Sequence, residues 1–297
     1  MNTHRTPFGF RFVTLSLSCL AALAIFSLVT GGRACADDEA PAQAPPQKHV
    51  ELFSDRGRVF PPLLADPKEA QFRLGFLGDF HGSAFLDFVF GGDAALARVD
   101  YDNGRMCSLT VRGLVSPRFQ FNSSSFDLLN TDFQGGLALG TSKGDTACEW
   151  YLFHQSSHLG DEVLDSGLRE KIDYSKEGLR FLTSRRLGPL RLYGGPTVNF
   201  RTDPDEYEET LVLQAGAEYA FMQDTRPMFL ALDLRSRQGN DWNVNATAQF
   251  AVELGDPKVV KRRHRLFVEL FTGYSDMGQY YNESESRVLI GVAYNFL

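Results

Sequence analysis

From about Gln71 onward the chain is written in long stretches of period-two alternation, and this constrains its fold more than any other feature. In Ser286–Leu297 the even positions Val288, Ile290, Val292, Tyr294 and Phe296 are apolar, while Arg287, Gly291, Ala293 and Asn295 between them are small or polar. Leu211, Leu213, Ala215, Ala217, Tyr219 and Phe221 likewise share one parity, with Val212, Gln214, Gly216 and Glu218 on the other. Successive side chains of a strand point to opposite faces, so each segment reads as a strand with one apolar face. Turn text such as Asp102-Asn103-Gly104, Ser142-Lys143-Gly144-Asp145 and Gly188-Pro189 separates them. The segments read at about 9–13 residues; soluble sandwiches use about 5–6, and a tilted bilayer-crossing strand needs about 9–11. The expected fold is an all-β, antiparallel, transmembrane (outer-membrane-type) β-barrel of about twelve strands over residues 71–297. The final segment closes on Tyr294-Asn295-Phe296-Leu297, close to the aromatic-terminated strand typical of such barrels.

The start of the chain fits export. Arg5 and Arg11 precede the apolar run Val13–Val29, and Ala34-Cys35-Ala36 supplies small residues for cleavage after Ala36. Residues 1–36 are therefore read as a cleaved signal peptide. Residues 37–70 are read as a Pro-rich linker followed by an extended periplasmic or plug segment around Phe60-Pro61-Pro62-Leu63-Leu64. Removal of the signal leaves 27 Lys+Arg against 37 Asp+Glu, a charge of −10 in place of −7. That acidity argues against nucleic acid, which is bound through clustered positive charge. Cys107 and Cys148 remain after cleavage. They fall on strands separated by a third, about 9–10 Å apart from the strand spacing, so no bridge is expected.

The text densest in chemistry is Trp150-Tyr151-Leu152-Phe153-His154-Gln155-Ser156-Ser157-His158-Leu159-Gly160-Asp161-Glu162. On a strand Trp150, Leu152, His154 and Ser156 share a face, and Glu149 and Gln155 mark the opposite one as the lumen. A histidine and a serine then project from the outside of the barrel, where polar groups are costly and call for a reason. An imidazole beside a hydroxyl can take its proton, which makes Ser156 the candidate nucleophile and His154 the base. Pairing Ser156 with Glu177 on the next strand makes Glu177 the candidate orienting acid. His158, Asp161 and Glu162 form a second candidate site, brought together only if the chain turns at Ser157. No metal spacing is present, since His154 and His158 stand about 13 Å apart on a strand.

The His154-x-Ser156 placement resembles two lipid hydrolases of the outer membrane, the phospholipase A and lipid A deacylase families. Both follow the serine with Asn, where this chain has Ser157. The phospholipase resemblance implies acyl-ester hydrolysis, a homo-oligomer and calcium; outside that reading no cofactor is expected. A longer resemblance is to an uncharacterised bacterial cell-envelope β-barrel family, a domain of unknown function. It is carried by His154–Glu162, Leu190–Gly195, Leu232–Ser236, Asp241-Trp242-Asn243, Gly278–Tyr281, Glu51-Leu52-Phe53 and Phe60–Pro67. It implies an envelope barrel among outer-membrane lipid and supplies no activity. Three functions follow: a structural or interaction barrel of the envelope, which the chain as a whole favours; a lipid-acting serine hydrolase; and a passive channel whose field is set by Glu149, Gln214 and Glu218.

Overall fold

In the computed structural model of the chain, each alternating segment pairs with its sequence neighbour until the last meets the first. The structure describes residues 47–79, 82–121, 126–167, 169–204, 209–222, 226–254 and 264–294. The expected signal peptide with its expected cleavage after Ala36, nearly all of the Pro-rich stretch, and Asn295–Leu297 lie outside the described residues.

Strand β1 (Lys48–Leu52) is followed by twelve barrel strands: β2 (Phe72–Asp79), β3 (Ala84–Tyr101), β4 (Arg105–Gln120), β5 (Leu128–Lys143), β6 (Thr146–Leu159), β7 (Tyr174–Leu187), β8 (Leu190–Asp203), β9 (Leu211–Phe221), β10 (Met228–Arg237), β11 (Val244–Leu254), β12 (His264–Tyr274) and β13 (Ser284–Tyr294). All pairings are antiparallel, and β13 closes the ring on β2 with Ile290 opposite Phe76. Closure leaves no free edge within the ring, which is what lets a sheet stand in lipid. The twelve-strand outer-membrane-type barrel of the sequence reading is therefore the observed fold. Strands β3 to β8 run to 14–18 residues, longer than the 9–13 expected, because their ladders continue into polar ends such as Asp100–Arg105.

The alternation sorts the two faces. Leu137, Leu152, Leu230, Leu270 and Ile290 are exposed on the outside, while Glu149, Gln214, Asp233 and Glu269 are buried in the lumen. So continuous an apolar outer surface is not that of a water-soluble monomer. Inside, charges survive burial by pairing. Arg112 forks onto Glu149 at 2.9 and 2.7 Å and reaches Asp93 at 2.6 Å. Arg73 bridges Asp87 and Glu269, and Arg118 joins Asp87 to Glu285.

The Phe60–Pro62 segment plugs the lumen. Phe60 and Leu63 pack into a fully buried cluster with Ala147, Leu182 and Tyr193 from the barrel wall. Arg191 donates to the carbonyl oxygens of Pro61 and Pro62 at 2.8 Å, and the Leu64 amide donates to Glu218 at 2.8 Å. Proline suits this path because its missing N–H leaves no donor to satisfy. Asp66, fully buried, accepts from Arg180, Arg235 and Gln214, and Lys68 donates to Asp132 at 2.7 Å. Before the plug, β1 adds to the protruding end of β3, with Leu52 opposite Ala97. There the Ser54 hydroxyl and Arg56 hold the Glu51 carboxyl down at about 2.

Cys107 and Cys148 lie in one row with Thr141 between them, and both are free thiols. Mild oxidation of a chain starting at residue 37 should leave two thiols titratable after denaturation. Loss of both in the monomer would contradict this strand order.

Candidate functional site on the outer face

Strand β6 carries the chemistry because its alternation splits the paired serines. Ser157 points into the lumen and is buried, whereas His154, Ser156 and His158 lie on the outer face. The strand runs straight through Leu159, so there is no turn at Ser157. His158 rests edge-on against Phe133 at 5.7 Å, and Asp161 and Glu162 are exposed on the short helix α1 (Asp161–Asp165). The candidate site of His158, Asp161 and Glu162 is not assembled. Among the described residues no three His, Cys, Asp or Glu side chains converge as metal ligands.

Glu177 does reach the histidine, in a register different from the one expected. Glu177 is opposite His154 and Ser175 is opposite Ser156, a shift of two residues that keeps Glu177 on the outer face. The shift has a physical origin. The β6–β7 connection is no symmetric turn but holds α1, and Gln279 pins it by donating to the Ile172 carbonyl and accepting from its amide.

His154 Nδ1 lies 3.4 Å from Glu177 Oε1, which leaves Nε2 of the ring for another partner. Arg201 of β8 stands 3.6 Å from Glu177 and 3.2 Å from Asp203, and the Ser175 hydroxyl donates to Asp203 at 3.0 Å. A bulge at Glu177/Gly178 brings Arg201 to Glu177 across an otherwise apolar face. The result is a connected polar patch, His154–Glu177–Arg201–Asp203–Ser175, bordered by exposed Leu152, Leu179, Val198 and Phe200. The pair is half exposed: the His154 side chain is 55% accessible and that of Glu177 34%. His154 and Ser156, two residues apart on one face, stand about 7 Å apart at Cα, a gap their side chains can close.

Sequence reasoning missed Arg201, Ser175 and Asp203, since nothing in their local text ties them to β6. It also missed what Ser157 does. Its hydroxyl bonds Asp132 and Asn130 and accepts from the Gln279 amide at 3.1 Å, while the Gln279 side chain donates to the Ser157 carbonyl at 2.8 Å. Thus the connection after β12 is folded into the lumen mouth and bolted to β6. Gly278 is needed there, because a Cβ would stand 2.5 Å from both Ser157 and Tyr174. Ser157→Ala should cost about 1–3 kcal/mol by stranding buried partners. Faster proteolysis within 275–283 of the folded protein is the readout, and wild-type resistance would contradict it.

A family model described as a protein of unknown function (DUF1207) matches residues 43–296. No curated protein sequence matches the chain. Among solved structures, outer membrane phospholipase A from Escherichia coli is similar at 15% identity and a TM-score of 0.51, covering 80% of this chain and 94% of that one. An active-site mutant of the same enzyme matches at 16% identity and a TM-score of 0.54, with the same coverage. The Salmonella typhi outer membrane phospholipase, solved as a dimer with bound calcium, matches at 15% and 0.53, covering 77% of this chain and 91% of that one. At such identities the likeness is one of fold.

Proposed function

This chain belongs to a family of unknown function, DUF1207, and from its own residues we propose that it is an outer-membrane acyl-ester hydrolase acting on lipid at the barrel's outer face. The observation that carries this reading is His154 Nδ1 at 3.4 Å from Glu177, two residues along the strand from Ser156. An acid on Nδ1 fixes the ring so that Nε2 serves the hydroxyl, the arrangement a nucleophilic serine requires. In the proposed reaction His154 takes the Ser156 proton as Oγ attacks the acyl carbonyl. The imidazolium, held by Glu177, then protonates the departing alcohol. Water, deprotonated by His154, releases the carboxylate and restores the serine.

The phospholipase neighbours support the reading as barrels of the same fold. Export through the predicted signal, cleaved after Ala36, and an apolar outer face both favour the outer membrane, with its lipid as partner and self-association as a second relation. Calcium does not fit within one chain. The ion takes about six to eight oxygens, and the two carboxylates at the site, Glu177 and Asp203, are already engaged by Arg201. Among the described residues, the space between the plug and the lumenal ion pairs includes a cavity of about 90 Å³ beside Lys68, Arg180 and Asp233. That favours an outside site over an open pore, for which Glu149, Gln214 and Glu218 were the candidate residues. Each of them is tied to a neighbour instead.

The test is release of alcohol from acyl p-nitrophenyl esters by refolded protein in micelles, beside Ser156→Ala and His154→Ala. Activity that both variants lose supports the proposal. Equal rates in all three sink it.

A further inference from the structure

Glycines of three neighbouring strands line up with His154 on the outer face. Gly92 is opposite Gly113, Gly113 opposite Gly135, and Gly135 opposite His154. The row above them, toward the longer connections, is Phe90, Val115, Phe133 and Ser156; the row below is Ala94, Val111, Leu137 and Leu152. The bare backbone at Gly113 and Gly135 beside the upper apolar row makes a groove of about 400 Å³, lined also by Phe90, Val115, Phe133 and His154. Three strand spacings give it a length of about 14 Å.

The barrel itself does not require glycine at 113 or 135. A Cβ on Gly113 or Gly135 would meet nothing nearer than a backbone carbonyl oxygen at 3.8 Å, an ordinary contact. Gly136, facing inward, is different: a Cβ there would stand 2.0 Å from the Leu152 carbonyl oxygen. Glycine within a strand sacrifices chain entropy and side-chain packing, and marks a place where something else comes close to the backbone. At Gly113 and Gly135 the space left is on the outside.

We infer that this groove holds one acyl chain of a membrane phospholipid, its ester carbonyl at the His154 end, with Ser156 two residues further along the strand. The substrate half of this statement rests on the hydrolase reading; occupancy of the groove does not. What borders an apolar barrel face in a bilayer is acyl chain. The groove ends on the polar patch described above, where exposed Arg201 offers a cation to a phosphate headgroup. Chain-length preference follows: long acyl esters gain contact along Phe133, Val115 and Phe90, and short ones do not.

Gly113→Leu and Gly135→Leu fill the groove from its floor. The test reconstitutes wild type, both leucine variants and Ser156→Ala in phosphatidylethanolamine/phosphatidylglycerol vesicles holding a phospholipid with a photoreactive acyl chain. Adducts are expected to concentrate on Phe90, Val115 and Phe133, equally in Ser156→Ala, and to fall about tenfold in the leucine variants. The ratio of long-chain to short-chain ester hydrolysis should fall by a similar factor in Gly113→Leu, whose position is one strand further from His154 than Gly135. Labelling spread evenly around the barrel, labelling indifferent to leucine, or a groove shielded by a second copy of the chain would overturn the inference. Groove-specific labelling with hydrolysis undiminished in Ser156→Ala would retain the bound chain and remove the catalytic reading.

Discussion

Ser156→Ala is expected to lower acyl-ester hydrolysis by at least about 10³-fold, since the serine supplies the bond-forming atom and no neighbour replaces it. His154→Ala should cost about 10²–10⁴-fold, the range for loss of a positioned general base. Glu177→Gln is the finer probe. It keeps the shape of the pair but removes a charge-assisted bond worth about 1.5–3 kcal/mol, or about 10- to 100-fold in rate. Glu177 is also held by Arg201 and half open to its surroundings, so its loss should fall below that of His154. Because Glu177 meets His154 and Arg201 and lies outside the groove that takes the acyl chain, its variant should lower kcat with KM for a long-chain ester unchanged. A rise in KM alone would make Glu177 part of lipid binding and not of ring orientation.

Asp66→Asn should have the largest effect on the barrel itself. This carboxylate is fully buried and is shared by Arg180, Arg235 and Gln214, tying the plug to β7, β10 and β9. Asparagine fills the same volume and removes the charge, leaving two guanidiniums without it in a water-poor lumen. Breaking a buried pair in this way typically costs about 3–5 kcal/mol. The plug's other fastenings, Lys68 to Asp132 and Arg191 to the Pro61 and Pro62 carbonyls, lie on either side of Asp66. A plug released at its middle would hold less firmly. The expected results are a lower denaturant midpoint and conductance in planar bilayers where the wild type is closed. An unchanged midpoint with no conductance would mean that the plug is held from its ends.

The barrel was legible because alternation is a local property. Ser286–Leu297 and Thr210–Met222 announce their faces residue by residue, and closure of such strands is the only way to satisfy their edges in lipid. The plug was half legible: Phe60-Pro61-Pro62-Leu63-Leu64 reads as extended and apolar, yet nothing in it reveals that Asp66 would meet three side chains more than a hundred residues away. At the site, the outward placement of His154 and Ser156 followed from parity alone. The partner strand's register did not, because it depends on a connection pinned by Gln279 from the far end of the chain. The glycine groove was invisible for the same reason. Gly92, Gly113 and Gly135 become a row only once two registers, both of them bulged, have been set.

The central claim, that Ser156 is a nucleophile primed by His154, is met most directly by covalent labelling. Refolded protein in micelles would be treated with a long-chain alkyl sulfonyl fluoride and the modified residue identified by peptide mass spectrometry. The account predicts a single adduct on Ser156, formed in the wild type and lost in His154→Ala. Absence of an adduct, or equal labelling of Ser156 with and without the histidine, would contradict it.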